Sequence, residues 1–213
     1  MPRKPLEKRS YNFDISTETR EDGTRELTGR PIVYNSRTNL GLFDEIIDPG
    51  ALDGTDLTDV RFLINHDLSR IPLARSRRNN GNSTMQLTPD AEGLSIDWVR
   101  LDVENNADAR ALYSAVERGD ISGMSFAFSV DGEKWDDLRS DHPTRHITKI
   151  GSVVEVSAVT FPAYKDADIY ARSNEALESA AATTLEKARQ LRAKSPEGDL
   201  ELEKAKLEFI SKL

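Results

Sequence analysis

The sequence predicts an α+β protein that is mainly β, and three observations support this class. Short segments in which apolar and polar residues alternate recur up to about residue 170, with glycine, proline and asparagine between them. Such segments at regular spacing are typical of an antiparallel sheet closed into a barrel or a sandwich. One helical pattern interrupts the strands, and from about Ala171 the composition shifts to alanine, glutamate, lysine and arginine.

The alternation places the individual elements. Strands are predicted over 11–15, 27–34, 39–47, 60–67, 71–76, 84–88, 94–99, 119–130, 145–150 and 152–164, with a turn over 131–135. A short helix is predicted over 51–57 and a longer one over 106–118. In the longer one, Ala107, Leu112 and Val116 recur at helical spacing, and Gly119 supplies the stop.

Composition excludes several classes of function. The chain has 213 residues, and 29 Lys+Arg against 37 Asp+Glu give a net charge of −8, which disfavours general binding to nucleic acid. It has no cysteine, so disulfides, thiolate nucleophiles and cysteine zinc sites are excluded. The longest apolar stretch, 153–161, is far short of the roughly 20 residues of a membrane helix. A soluble protein of a reducing compartment, with no secretory signal and no membrane partner, is expected.

Three regions are predicted along the chain. Residues 1–10 form a flexible basic arm, residues 11–171 a β domain, and residues 172–213 a helical tail. The tail carries two amphipathic patterns, 175–193 and 199–213, separated by Ser195–Gly198. With no evident globular partner, they indicate a partner-binding or coiled-coil element, and a solvated disordered tail is the alternative.

Three polar residues stand on separate predicted strands. Ser125 lies on a face of small residues, while Phe126 and Phe128 face the core on the other side. His66 ends an apolar strand, and Glu155 stands in the middle of another. A buried carboxylate costs several kcal/mol unless it is paired. Histidine is a suitable partner, because the carboxylate orients the ring and leaves its other nitrogen free to accept a proton from a serine hydroxyl.

Each of these residues also has an ordinary explanation. Ser125 fits a half-buried strand, His66 a structural histidine, and Glu155 an exposed sheet edge. His146, at the start of a strand, is the rival for the orienting role, whereas His142 is expected to be exposed. A metal site of His66, Asp67 and His142 is not favoured, because no metal-binding spacing such as HExxH is present. No phosphate-binding loop and no Gly-x-Ser-x-Gly motif occurs, and no cofactor is predicted.

Four blocks of sequence resemble a known family. They are Asn65-His66-Asp67, Gly119–Phe128 (GDISGMSFAF), Glu155–Tyr164 (EVSAVTFPAY) and the earlier Glu45–Ala51 (EIIDPGA). Together, in the order in which they occur along the chain, they resemble the signature blocks of the tailed-phage prohead proteases over about residues 10–171. Ala74 and Ala127 stand where that family often has glycine.

The resemblance implies a serine endopeptidase that cleaves scaffold and capsid-protein segments inside the immature phage shell, in the host bacterial cytoplasm. It implies a β-barrel with surrounding helices, related to herpesvirus assemblin, and the assemblin likeness favours a homodimer. By the same match, Ser125 is the nucleophile, His66 the general base and Glu155 the orienting residue. Assemblins use a second histidine in the third role, where the match places Glu155 in this chain. Backbone N–H groups near Phe161–Tyr164 are the expected oxyanion donors.

A non-enzymatic role is the competing hypothesis. In that case the tail acts as scaffold and the β domain is a docking module for the capsid. If the chain is a protease, the tail is expected to recruit it into the shell or to be removed by self-cleavage.

Overall fold

The computed structural model describes residues 5–11, 15–160 and 171–194, with backbone only for residues 11 and 171–178. The strands are β1 (Glu7–Tyr11), β2 (Ile15–Thr19), β3 (Arg25–Val33), β4 (Thr38–Asn39), β5 (Asp44–Ile47), β6 (Arg61–Ile64), β7 (Ala74–Arg75), β8 (Met85–Pro89), β9 (Gly93–Leu101), β10 (Gly123–Asp136) and β11 (Thr144–Val159). The helices are α1 (Ala107–Glu117) and α2 (Ala171–Ala193), and Arg77–Asn79 form a 3-10 turn.

The described strands form two sheets. One has the order β1-β10-β11-β5-β4, with β6 paired to β11 and β7 paired to β6. The other is an antiparallel sheet in the order β2-β3-β9-β8. The prediction of an α+β, mainly β protein is therefore confirmed. The predicted closed barrel is not found among these strands, because β1 and β4 end one sheet and β2 and β8 end the other.

One strand pair departs from the predicted antiparallel arrangement. β6 runs parallel to β11, with Arg61 opposite Glu155, Leu63 opposite Ser157 and Ile64 opposite Ala158. Parallel neighbours require a long connection, and here some 90 residues of chain separate the paired positions. Alternation of side chains alone does not distinguish the two directions.

The main helix has the predicted position. α1 begins after Asn106, whose side-chain oxygen accepts hydrogen bonds from the backbone N–H groups of Asp108 and Ala109. Gly119, at a φ of 78°, follows the end of the helix and turns the chain toward β10. The predicted short helix over 51–57 is wrong, because that segment consists of a turn over 51–54 followed by an isolated bridge at Asp56.

Several predicted boundaries also shift. The strand predicted over 60–67 ends at Ile64, and the turn predicted over 131–135 lies inside β10. The strands predicted over 145–150 and 152–164 are a single strand, β11, up to Val159. The first predicted strand, 11–15, has its centre outside the described residues.

The chain divides into two compact units. The first takes in the described residues within Met1–Ser36, Ile47–Glu133 and Ile147–Ala167. Its core is formed by the apolar faces of both sheets and of α1, including Leu27, Phe126 and Val156. Burial of large apolar side chains of this kind supplies most of the driving force for folding, at about 1.5–3 kcal/mol for each side chain.

The second unit takes in the described residues within Arg37–Ile46, Lys134–His146 and Asp168–Leu213. Its own small core joins Phe43, Leu138 and the α2 residues Ala181, Leu185 and Ala188. The edge of Trp135 also meets the ring of Phe43, with the ring centroids 4.9 Å apart. The first amphipathic pattern of the tail thus has a globular partner, contrary to the prediction. The second pattern, 199–213, lies outside the described residues.

The N-terminal arm also differs from the prediction. Residues 1–10 are predicted to be flexible, whereas Glu7–Tyr11 form a strand that pairs antiparallel with β10. Because residues 7–9 are all charged, this segment does not show the alternation of apolar and polar residues that would predict a strand. The division into a β domain over 11–171 and a tail over 172–213 stays a prediction.

Candidate active site

Ser125 lies near the start of β10, on backbone held from both sides. β1 pairs with one edge of β10, and β11 is its neighbour on the other edge. Every residue from Gly123 to Ser129 is buried, so the small-residue face is covered as well as the aromatic face. Ser125 itself is 0 % exposed. The half-buried strand that the sequence left open as the ordinary explanation of Ser125 is therefore not what the structure shows, and the hydroxyl lies within the protein.

His66 reaches the same place through an unusual turn. Asn65 and His66 are consecutive residues with φ of 52° and 59°, a left-handed conformation that asparagine tolerates and histidine adopts uncommonly. The turn follows directly after β6 and directs the histidine back toward β11. Asn65 N–H donates to the carbonyl oxygen of Ala158 at 3.0 Å, and the Asn65 side chain bonds to Thr160. These contacts hold the strained backbone in place.

Glu155 lies in β11 and is 2 % exposed. Its Oε1 contacts His66 Nδ1, and its Oε2 accepts a hydrogen bond from the Ser157 hydroxyl at 2.6 Å. The buried carboxylate therefore has a partner at both oxygens, which offsets the cost of removing it from water. Its location at an exposed sheet edge, the alternative left open by the sequence, is not what the structure shows.

The three predicted residues come together in one hydrogen-bonded row. His66 Nε2 is 2.5 Å from Ser125 Oγ, and Nδ1 of the same ring contacts Glu155. All three lie in the first unit. A ring that meets a hydroxyl through one nitrogen and a carboxylate through the other can take a proton from the hydroxyl while the carboxylate fixes its tautomer.

Ser157 is a part of the site that sequence reasoning missed. Its hydroxyl accepts from the backbone N–H of His66 at 3.2 Å and donates to Glu155. It thus ties the backbone of the histidine to the carboxylate that faces the ring. A signal for it exists in the sequence, because residues two apart on a strand share a face.

The second feature missed is the N-terminal strand. Ser10 lies directly opposite Ser125 in the β1–β10 register, and its hydroxyl donates to Ser125 Oγ at 2.9 Å. Ser125 Oγ in turn donates to the backbone carbonyl oxygen of Arg9 at 2.7 Å. No pattern in residues 1–10 indicates this contact, since the pairing connects positions 115 residues apart.

The other histidines have other partners. His146 Nε2 is 3.1 Å from the carboxylate of Asp136, and His142 Nε2 is 3.0 Å from that of Asp44. Burial raises the pKa of Asp44, but the hydrogen bonds from His142 and Arg37 outweigh it and hold this pKa below its usual value. The contact with His66 Nδ1 that His146 was considered for is made by Glu155.

Asp67, considered above as a metal ligand, belongs to a turn. Its carboxylate accepts hydrogen bonds from the hydroxyl and the backbone N–H of Ser69, and these lower its pKa. Within residues 5–11, 15–160 and 171–194, no group of three or more histidine and carboxylate side chains has the arrangement of a metal site. The expected oxyanion donors near Phe161–Tyr164 lie outside the described residues.

Comparison with known proteins yields one match. A family model described as caudovirus prohead serine protease matches residues 12–181, a range that contains Ser125, His66 and Glu155. No curated protein matches the chain, and no solved structure matches it either. The likeness to assemblin therefore stays a prediction. No helix in the described parts of the chain is both long and apolar enough for a membrane span.

Proposed function

Because the chain belongs to the caudovirus prohead serine protease family, we propose that it is a serine endopeptidase that cleaves scaffold and capsid-protein segments during prohead maturation. The observation that carries the proposal is the row Ser125–His66–Glu155, in which one imidazole contacts a buried hydroxyl and a buried carboxylate. The family match supports the proposed context, an immature phage shell in the host cytoplasm.

In the proposed reaction, Ser125 Oγ attacks the carbonyl carbon of the scissile peptide bond while its proton passes to His66 Nε2. The tetrahedral intermediate collapses, the C–N bond breaks, and His66 returns the proton to the leaving amine. Water then enters, gives a proton to His66 and attacks the acyl ester, which releases the acid and restores the serine. In both halves of the reaction, the proton that the nucleophile loses passes through His66 Nε2 to the leaving group.

Glu155 has the orienting role in this mechanism. Its carboxylate accepts the Nδ1–H of His66, which keeps Nε2 unprotonated and directed at Ser125 in the resting enzyme. It also balances the positive charge of the ring after proton transfer. Because the carboxylate is buried and the ring is only partly exposed, this charge balance is worth more than it would be at the surface.

The oxyanion of the intermediate requires donors as well. We expect backbone N–H groups to supply them, each worth about 2.7–4 kcal/mol where such donors have been removed in other enzymes. The helical tail is expected to recruit the protease into the shell or to be removed by self-cleavage, and the active species is expected to be a homodimer.

Covalent labelling tests the central claim. A fluorophosphonate is expected to modify the full chain at Ser125 and to leave Ser125→Ala unmodified. Ser129→Ala is the matched control, since Ser129 lies on the same face of β10 and contacts Ser152 rather than His66. Its labelling is expected to equal that of the unchanged chain.

Cleavage is measured beside labelling, with the capsid protein of the same phage as substrate. Wild-type cleavage by Ser125→Ala would overturn the assignment of the nucleophile. If no variant reacts or cleaves, including those with a loosened N-terminal strand described below, the non-enzymatic assembly factor becomes the better hypothesis.

A further inference from the structure

The edge of β10 that carries Ser125 is occupied by the chain's own N-terminal strand. β1 is the last strand of its sheet, and it pairs with β10 from Glu7 opposite Phe128 to Tyr11 opposite Met124. Without β1, no other strand in the described part of the chain would cover the edge of β10 at the nucleophile. We propose that Glu7–Tyr11 are an internal blocking strand, which occupies the edge where an extended substrate peptide binds and holds Ser125 inactive until it is released. The inference rests on the proposed function, because it assumes that Ser125 is the nucleophile.

The blocking strand binds as an extended peptide would. Proteins commonly recognise extended segments by adding them to a sheet edge, where backbone hydrogen bonds give affinity and alternate side chains give specificity. β1 does this antiparallel to β10 over five residues, centred one residue from Ser10. A substrate peptide cannot form the same backbone hydrogen bonds while β1 is in place.

The contact also withdraws the serine proton from the base. Ser125 has one hydroxyl hydrogen, and both the Arg9 carbonyl oxygen at 2.7 Å and His66 Nε2 at 2.5 Å are within reach of it. A hydroxyl that donates to Arg9 does not at the same time donate to His66. Ser10 also donates to Ser125 Oγ and occupies a lone pair that would attack a substrate. The occupied site is therefore inhibited chemically as well as sterically.

The geometry is that of an inhibitor rather than a substrate. Attack requires Oγ to approach the carbonyl carbon while the carbonyl oxygen points toward the oxyanion donors. Here the oxygen of Arg9 faces the hydroxyl of Ser125 and accepts its hydrogen bond. We therefore expect the Arg9–Ser10 bond to stay intact.

Side-chain contacts hold the strand in place. Arg9 is 7 % exposed, its guanidinium lies 5.7 Å from the centre of the Phe128 ring, and it donates to the Glu7 carboxylate at 2.6 Å. A cation against an aromatic face in a site with little water contributes about 0.5–2 kcal/mol. The family match begins at residue 12, so the blocking strand lies before the matched region.

A reversible cross-link tests the proposal in the full chain. Lys8 lies opposite Ala127, on the same face as the Ser10–Ser125 pair, whose hydroxyl oxygens are 2.9 Å apart. Side chains on this face therefore meet, and Lys8→Cys combined with Ala127→Cys should form a disulfide across the strands. The native chain has no cysteine to interfere.

The labelling rate of Ser125 by the fluorophosphonate is then compared in the oxidised and reduced states. If labelling requires the strand to open, the oxidised protein should react at least about tenfold more slowly, because the rate follows the fraction of open chains. Reduction should restore the rate. Each single cysteine variant is the control and should respond to neither treatment. Equal rates in the two states of the double variant would overturn the proposal.

The complementary variant loosens the strand. Arg9→Ala combined with Ser10→Ala removes the buried cation and the hydroxyl contact, so labelling should become about tenfold faster than in the unchanged chain. Lys8→Ala, an exposed position on the same strand, is the control and should change the rate little.

An unchanged rate in the loosened variant would contradict blocking, and so would release of residues 1–9 from the unchanged chain in intact mass measurements. If neither the reduced nor the loosened protein is labelled, the proposed function itself fails, and the inference fails with it.

Discussion

Replacing Glu155 by glutamine tests the orienting role with the smallest change in shape. Both carboxylate oxygens are engaged, Oε1 by His66 Nδ1 and Oε2 by Ser157. If the new amide nitrogen faces the ring, it donates to Nδ1, and the proton moves to Nε2, where it prevents His66 from accepting the serine proton. If the amide oxygen faces the ring, the tautomer is kept, but the negative charge that balances the imidazolium is lost.

The expected loss follows from these two orientations. The wrong tautomer alone lowers kcat about 10⁴-fold where the corresponding change has been made in another serine protease. Loss of charge balance alone should cost less, so we expect kcat to fall by about 10²–10⁴, or about 3–5 kcal/mol in the barrier. KM should change little, because in the described chain the Glu155 carboxylate forms hydrogen bonds with His66 and Ser157 only.

The assay compares capsid-protein cleavage and fluorophosphonate labelling in the loosened background, with thermal unfolding to verify the fold. Ser157→Ala is the matched control: it removes one hydrogen bond to the same carboxylate and leaves the charge, so a loss of about tenfold is expected. A Glu155→Gln protein that is folded and turns over at the unchanged rate would refute the role given to this carboxylate.

Two further predictions concern the scaffold. A Cβ on Gly93, at a φ of 145°, would lie 2.0 Å from the carbonyl oxygen of Ile32, so Gly93→Ala should lower the free energy of unfolding by about 2–6 kcal/mol. Gly23→Ala, at a φ of 83° with open space around it, should cost only about 1–2 kcal/mol in the same urea titration, and equal losses would contradict the clash. The hydrogen bond from Arg30 lowers the pKa of Asp90 to about 2. The stability that this lowered pKa contributes is complete above the unfolded-state pKa, near 3.9, and is lost as the pH falls through the folded-state pKa of about 2. Asp90→Asn should therefore be less stable by about 1 kcal/mol at pH 7, since solvent screens this pair. The difference should shrink below about pH 3.9 and vanish below about pH 2, and a difference independent of pH would show that the charge is not its cause.

The sequence predicted what depends on local pattern. Alternation located most strands, and Asn106 and Gly119 bounded α1 because caps are encoded in a few adjacent residues. For Glu155 the sequence left two environments open, a buried pair and an exposed sheet edge, because alternation alone does not show which face of a strand is covered. The grouping of Ser125, His66 and Glu155 was predicted from chemistry and family blocks rather than from periodicity.

The features that were missed depend on contacts distant in sequence. The strand character of Glu7–Tyr11 arises only from pairing with β10, and the parallel direction of β6 arises from its pairing with β11. The left-handed turn at Asn65 and His66 was read as a continuing strand, because two φ angles reverse the direction of a side chain without changing the residue pattern. The partner of α2, around Phe43 and Leu138, is likewise assembled from separate segments.

The parallel pairing of β6 with β11 fixes the distance between His66 and Glu155 independently of the sheet edge beside β10. The carboxylate lies on β11 and the histidine lies on the turn directly after β6, so the backbone hydrogen bonds between these two strands fix the spacing of the pair, whatever approaches the serine. Under the proposed function, an extended substrate would bind at a different edge, beside β10, where β1 now pairs. Substitutions along that edge would then change which substrate sequences bind, while the distance between His66 and Glu155 stays the same.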